Sequence, residues 1–299
     1  MTAAEGIAAP QAGAAFGVRW DALQKREPLI EARDLGISFD LRFDRSRTVR
    51  VGLRSIFRRT RHQILWAVRH LTLRVHAGEC LAVVGANGAG KSTLLQTFAG
   101  ILTQDEGSLV RNGAVSALLN LGVGFDPKLT GRENVELVAA LLGLSARRTR
   151  QRLPDVIEFA DVGDFFDAPL RTYSSGMRAR LGFAVATMIE PQILVLDEVI
   201  GTGDAAFRIK SRERLSELVR SAHAVVLATH DMQWVADFAN YAILMDHGQV
   251  IAEGAPEAVV ALHRARSGRP PRQYDCPGCA TAPAGGYCEL CGIRFNAQG

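Results

Sequence analysis

Gly85-Ala86-Asn87-Gly88-Ala89-Gly90-Lys91-Ser92 has the residue types and spacing of a loop that cradles phosphate. Its glycines let successive backbone N–H groups curl around the β- and γ-phosphates of a nucleoside triphosphate without Cβ clashes. Lys91 supplies a point charge to the terminal phosphates and Ser92 a hydroxyl that can ligate Mg²⁺. Thr93 continues into a helix whose N-terminal dipole favours the anion. A glycine-rich turn with an accidental lysine is the plain alternative. Farther along, Asp197 and Glu198 bring two acids together. The first suits the Mg²⁺ hydration shell, and the second can accept a proton from an attacking water. His230 could touch and sense the γ-phosphate, although an isolated histidine is more often structural. Tyr173-Ser174-Ser175-Gly176-Met177 is either a second phosphate-gripping helix start or simply a helix capped by Ser175. Lastly, Cys276, Cys279, Cys288 and Cys291 form two C-x-x-C pairs, the ligand pattern of a tetrahedral S₄ metal site.

These groups need elements to position them. Leu81-Ala82-Val83-Val84 before the loop and Thr93-Leu94-Leu95 after it predict strand, loop and helix. Ile193-Leu194-Val195-Leu196 reads as a central parallel strand covered on both faces, ending in the two acids. Ala224 to Ala228 reads as another buried strand, with Thr229-His230 at its end. In an open parallel sheet the carboxyl ends of the strands share one edge, so loop, acids and histidine are expected to converge. Leu181, Ala184, Val185 and Met188 form one apolar stripe at helical spacing. Thr130-x-x-Glu133 has the pattern of a capping box opening an apolar helix, Val135 to Leu144. The fold class is α/β.

Taken in order, these segments resemble the ATPase subunits of ATP-binding-cassette (ABC) transporters, over roughly Glu31 to Ala255. The resemblance implies a P-loop cassette with a RecA-like core, an antiparallel β part and a helical subdomain at about 115–180. Tyr173-Ser174-Ser175-Gly176-Met177 stands where most cassettes have Leu-Ser-Gly-Gly-Gln. Asp197-Glu198-Val199-Ile200-Gly201-Thr202-Gly203-Asp204-Ala205-Ala206-Phe207 puts Asp204 at the dimer-contacting aspartate. Together with Leu121-Gly122-Val123-Gly124-Phe125 and Leu129-Thr130-Gly131-Arg132-Glu133-Asn134, these details are similar to the subfamily exporting bacterial polysaccharides. Its cargoes are O-antigen, capsule, teichoic acid and cell-wall glycans.

The resemblance implies ATP and Mg²⁺ as cofactors, Glu198, His230 and Lys91 as catalytic groups, and ATP contacts from Gly85 through Thr93 and from Asp197. Ser92 and Asp197 would hold Mg²⁺. It also implies a head-to-tail homodimer in which Ser174, Ser175 and Gly176 grip the other protomer's ATP. That pair would drive integral-membrane permease subunits from the cytoplasmic face of the bacterial cytoplasmic membrane, as a peripheral protein exporting a polysaccharide or lipid-linked glycan. Most cassettes carry a Gln before the Leu-Thr-x-x-Glu-Asn segment; here Asn120 is the nearest substitute. Phe39, Phe43 and Trp66 each offer a flat face for the adenine, and Phe43 is assigned the stack.

The rest of the chain divides around this machine. Residues 1–28 read as a flexible tail without the basic start of a secretory signal, and 29–263 as the nucleotide-binding domain. Within it, 40–64 is a basic insertion in which Arg42, Arg45, Arg47, Arg50, Arg54, Arg58, Arg59 and Arg61 face only Asp44. Val49, Leu53, Ile56 and Phe57 recur there at helical spacing. The segment suits an anionic lipid surface, a charged helix packed on the domain, or a nucleic-acid grip. Residues 264–274 read as a linker and 275–295 as a small zinc-ribbon-like module. Iron or disulfides could use the same cysteines, but a cytosolic nucleotide-hydrolysing chain favours zinc. Cys80 reads as a small core residue. At 47% hydrophobic and 22% charged residues the composition is that of a soluble globular protein. Leu181 to Ile189, the most apolar stretch, is stopped by Glu190-Pro191 and is too short to span a bilayer. A competing reading is a soluble cassette ATPase acting on nucleic acid or ribosomes. Such proteins usually carry paired cassettes or long coiled coils, and neither pattern is present.

Overall fold

Alternation along the buried runs decides the layering. In the strand Cys80–Gly85, here β3, Cys80, Ala82 and Val84 enter one apolar cluster, while Leu81 and Val83 enter another on the opposite face. A strand buried on both sides belongs in the middle of a parallel sheet. The computed structural model describes residues 26–42, 62–119, 122, 124–189, 191–197, 205–229, 231–267, 287–288 and 293–295.

Strands are β1 Pro28–Arg42, β2 His62–His76, β3, β4 Glu106–Arg111, β5 Val115–Leu118, β6 Ile193–Asp197, β7 Ala224–Ala228, β8 Tyr241–Asp246, β9 Gln249–Gly254, β10 Tyr287–Cys288 and β11 Ile293–Phe295. Helices are α1 Lys91–Phe98, α2 Gly131–Leu141, α3 Ala146–Ala160, α4 Ser175–Ala186, α5 Ala205–Ser221, α6 Met232–Phe238 and α7 Pro256–Ser267. Among the described residues β2-β1-β4 form an antiparallel sheet. The larger sheet has the order β10-β11-β9-β8-β3-β7-β6-β5. Its members from β8 to β5 run parallel, and β9, β11 and β10 add antiparallel pairs at one end.

One face of the large sheet packs on α5, α6 and α7 through Leu215, Val219, Trp234, Val235 and Val259. The other face packs on α1 and on the antiparallel sheet through Leu94, Leu95, Phe98, Ile30, Leu35 and Val75. Leu94, Leu95 and Phe98 are fully buried. Each contributes about 1.5–3 kcal/mol, enough to fix how the N-terminus of α1 is aimed. Cys80 is a fully buried core residue, as its sequence context suggests; burial, and then the Glu79 carboxylate, push its thiol pKa up.

A separate helical unit is built on Val135, Val156, Ala160, Phe166, Leu170 and the stripe Leu181, Ala184, Val185 and Met188. Phe159 stacks on Phe183 at 5.4 Å, and Phe183 meets Phe207 edge-on at 5.8 Å, so three helices share one aromatic seam. The capping box is present: Thr130 Oγ1 accepts from Glu133 N–H, while Glu133 Oε2 accepts from Thr130 N–H. The helix it opens starts at Gly131 and stops at Leu141, short of the expected Leu144, because Gly143 turns the chain at φ 81. No helix among the described residues is long and apolar enough to cross a membrane.

Candidate functional site

Strand register brings the chemistry to one edge. Ala228, the last residue of β7, is the register partner of both Val83 on β3 and Asp197 on β6. The phosphate loop begins just after Val83. Thr229 follows Ala228, and Asp197 lies two strands across from β3, about 10 Å at the usual strand spacing. Loop, acid and the end of β7 therefore line the carboxyl edge, the place where open parallel sheets bind ligands.

The loop is fixed from behind. Gly90 caps α1 at φ 99 without a side-chain hydrogen bond, which leaves the first N–H groups of the helix aimed at the loop's mouth. A Cβ at Gly90 would lie 2.1 Å from the carbonyl oxygen of Ala67 on β2, so only glycine lets the helix sit so close. The β8–β9 turn clamps the same place: Gly248 N–H donates to Ala89 O at 3.0 Å and Arg69 N–H donates to Gly248 O at 2.9 Å. Lys91 Nζ donates to the Gly85 and Ala86 carbonyls at 2.8 and 2.9 Å, which spans its ammonium across the loop. Ser92 is exposed and Asp197 half-buried, a hydroxyl and a carboxylate at one edge. That donor set, with the glycine-lined cradle, fits a phosphate chain and a hard divalent cation.

The serine-glycine segment sits on the helical unit. Ser174, not Ser175, is the N-cap of α4: its backbone is extended and its Oγ accepts from Met177 N–H at 3.2 Å. With two adjacent serines the local signal is nearly degenerate, and the cap goes to the one whose hydroxyl reaches the N3 amide. That leaves Ser175 exposed at the first turn, beside a Gly176 whose missing Cβ would meet only the Ser174 hydroxyl, at 3.8 Å. Tyr173 anchors the segment by donating from its hydroxyl to Phe165 O at 2.6 Å. Burial, and then the Asp167 charge, raise its phenol pKa. Arg178 closes the turn onto Tyr173 O at 3.1 Å.

The ABC transporter family model matches residues 68–201. The O-antigen export system ATP-binding protein RfbE of Yersinia enterocolitica is 41% identical over 187 residues, 62% of this chain and 78% of that protein. The chain belongs to the ABC transporter family. ABC transporter protein AbcA of Aeromonas salmonicida is 42% identical over 198 residues, which cover 66% of this chain but only 64% of AbcA. The cassette fold is shared with the dimeric post-hydrolysis state of the ATP-binding cassette MJ0796 bound to ADP and Pi. There the TM-score is 0.58 at 21% identity, over 76% of this chain and 98% of that one.

Within this cassette, Gly85 to Thr93, Asp197, Ser174, Ser175 and Gly176 all lie among the described residues, the first group and Asp197 on one sheet edge. Glu198, His230, Asn120, Asp204, Phe43, Cys276, Cys279 and Cys291 lie outside them, as do the arginines from Arg45 to Arg61. Cys288 is described as the last residue of β10. Of the aromatic candidates, Trp66 has the Arg69 guanidinium 4.6 Å from its ring centroid and packs on Gly36. Phe39 is 40% exposed on β1, opposite Leu65 and so close along β2 to the Ala67 carbonyl that abuts Gly90. The clamp at Gly248 is absent from the sequence reading. Its signal was present: His247-Gly248 between two apolar runs is a tight hairpin turn, with φ 45 and 81.

Proposed function

We propose that the chain is the ATP-hydrolysing subunit of an exporter for a polysaccharide or lipid-linked glycan. The observation that carries this reading is the 41% identity to an O-antigen export ATP-binding protein across most of that protein's length. Magnesium, when bound with ATP, supplies positive charge against the β- and γ-phosphate oxygens. Backbone N–H groups of the loop and of α1 bind those phosphates, and Lys91 turns its ammonium to the terminal one. Ser92 and Asp197 hold the cation. Glu198, next in sequence after Asp197, accepts the proton of the attacking water, and His230, next after Thr229, contacts the γ-phosphate. Ser174, Ser175 and Gly176 of a second copy grip the same nucleotide from the far side, so hydrolysis loosens a homodimer and moves the permease subunits bound to it. An aromatic upstream of the loop, Phe43 or the 40% exposed Phe39, stacks on the adenine.

The arrangement supports a peripheral protein on the cytoplasmic face of the cytoplasmic membrane. The reading also divides the chain into a tail over 1–28, the cassette over 29–263 with the basic insertion 40–64 resting on anionic lipid, a linker over 264–274 and a metal-bound module over 275–295; α7 nevertheless runs on to Ser267, and β10 and β11 pair into the cassette sheet. Cys276, Cys279, Cys288 and Cys291 hold a structural Zn²⁺; four thiolates in two turn-flanked pairs suit that ion. Among the described residues alone no group of ligands assembles a metal site, so the reading rests on spacing and donor chemistry. The test is affinity purification of the tagged chain from membranes. A multi-span permease in the eluate supports the reading, and recovery only with ribosomes or DNA sinks it.

A further inference from the structure

The phosphate loop opens α1 and the serine-glycine segment opens α4, yet neither helix carries a basic residue in its own last turn. A guanidinium from another element takes that place in each. Arg111 on β4 donates to Thr97 O of α1 at 3.2 Å, and Arg214 on α5 donates to Thr187 O, the C-cap of α4, at 3.0 Å. A cation there satisfies carbonyls left without a partner in the helix and complements the negative end of its dipole. The two contacts differ in what they join. β4 and α1 pack on one apolar cluster, whereas Arg214 crosses between two. α5 is rooted in the core through Leu215, Leu218 and Val219, and α4 in the helical unit through Leu181, Ala184 and Val185. Lys210, one turn earlier on the same face of α5, donates to Glu158 O in the last turn of α3 at 3.0 Å, with its Nζ 4.8 Å from the Phe159 ring centroid. Both cations line a cavity of about 340 Å³ shared by α3, α4 and α5, beside Asp155, Glu213 and Met188. Along this side the helical unit is held to α5 by directed hydrogen bonds more than by close packing.

We propose that Arg214, seconded by Lys210, is a positioning residue for ATP hydrolysis: from α5 it holds the far end of α4 and so sets where the serine-glycine segment stands relative to the core. This rests on the reading above that Ser174, Ser175 and Gly176 grip the nucleotide of a second copy. α4 has 12 residues, a length of about 18 Å at 1.5 Å per residue. A tilt of about 5° at its held end therefore moves Ser175 by about 1.5 Å, beyond the roughly 0.5 Å range over which a hydrogen bond keeps its strength. Loss of the tie would blunt the grip across the pair while leaving the chain's own phosphate loop, built on β3 and α1, as it was. Arg214 itself is steadied by Glu217, whose carboxylate accepts from its other nitrogen at 3.2 Å.

The experiment compares the full wild-type chain with Arg214→Met, Arg214→Lys and Lys210→Met. Three quantities are read: affinity of dilute single chains for a fluorescent ATP analogue, pairing by light scattering with magnesium and a non-hydrolysable analogue, and turnover at saturating ATP. Arg214→Met should bind nucleotide within about twofold of wild type, yet pair and turn over at least about tenfold more weakly. Arg214→Lys keeps a cation able to reach the same carbonyl and should recover most of both losses. Lys210→Met changes an exposed side chain and should lose about threefold in pairing. Wild-type pairing and turnover in Arg214→Met overturn the proposal. So does a loss that lysine does not restore, or one matched by an equal loss of single-chain affinity. If Arg214→Met does not fold, Lys210→Met decides, and its unchanged pairing overturns the proposal. Wild-type chains that never pair on the analogue overturn the two-copy reading beneath it as well.

Discussion

Gly90→Ala concentrates the structural reasoning on one atom. The added Cβ would lie 2.1 Å from Ala67 O, where ordinary contact begins at 3.4 Å, so the loop or β2 must move by more than 1 Å. Holding an alanine at φ 99 adds about 1–2 kcal/mol of left-handed strain. Separating loop and strand also loosens the Gly248–Ala89 and Arg69–Gly248 hydrogen bonds, each worth about 1 kcal/mol net. The sum is about 3–4 kcal/mol, which at about 2–4 °C per kcal/mol lowers the melting temperature by roughly 6–16 °C. Gly88→Ala is the internal control. Gly88 has φ 81 but nothing within 4 Å of its missing Cβ, so only the conformational penalty of about 1–2 kcal/mol applies. Thermal melts of both variants and titration with a fluorescent ATP analogue make the comparison. Gly90→Ala should melt well below Gly88→Ala and lose at least about 100-fold in affinity, since more than 1 Å of loop displacement breaks several phosphate contacts. If Gly90→Ala binds nucleotide like the wild type and melts with Gly88→Ala, the proposed clamp on the loop is wrong.

Phe39→Ala should weaken ATP binding by about 1–3 kcal/mol, roughly 5- to 150-fold in Kd, and leave inorganic triphosphate unaffected; equal ATP affinities would remove Phe39 from the adenine site. Thr130→Ala should cost about 1 kcal/mol at neutral pH in urea melts. The Thr130 backbone N–H, and then its hydroxyl, hold the Glu133 carboxyl below its ordinary 4.5, so that share of the cap is present above 4.5 and lost as pH falls through the lowered value. The variant keeps the backbone N–H, so the gap between it and wild type should narrow on acidification only by the hydroxyl's share, and a constant gap would deny the Thr130 hydroxyl–Glu133 bond its part. Tyr173→Phe leaves the Phe165 carbonyl without its donor and should cost about 1–3 kcal/mol, while slowing ATP turnover more than it weakens nucleotide binding by an isolated protomer.

What could be read in the sequence was local. The loop, the runs ending at Val84, Leu196 and Ala228, and the Thr130-x-x-Glu133 box each announce themselves within a few residues, through period, glycine spacing or cap chemistry. Their meeting at one edge also followed, because buried parallel strands deliver their carboxyl ends together. Non-local contacts were illegible. Nothing in Ala67 says that its carbonyl will abut Gly90, and nothing in Ala252 or Glu253 says that β11 will pair there, because register is set by the far partner. Phe39, Phe43 and Trp66 offer the same flat face in sequence, and only the fold puts Arg69 over Trp66. The choice between Ser174 and Ser175 turned on a one-residue offset that composition does not encode.

The central claim is that two copies of this chain close on ATP, with the loop of one and the serine-glycine segment of the other gripping each nucleotide. The mass of Glu198→Gln protein in solution, by light scattering with and without Mg-ATP, addresses it directly. Protein at twice the chain mass carrying two nucleotides, reverting to single chains when ATP is withdrawn, is the expected result. Single chains at saturating ATP, with nucleotide bound to each, would contradict it.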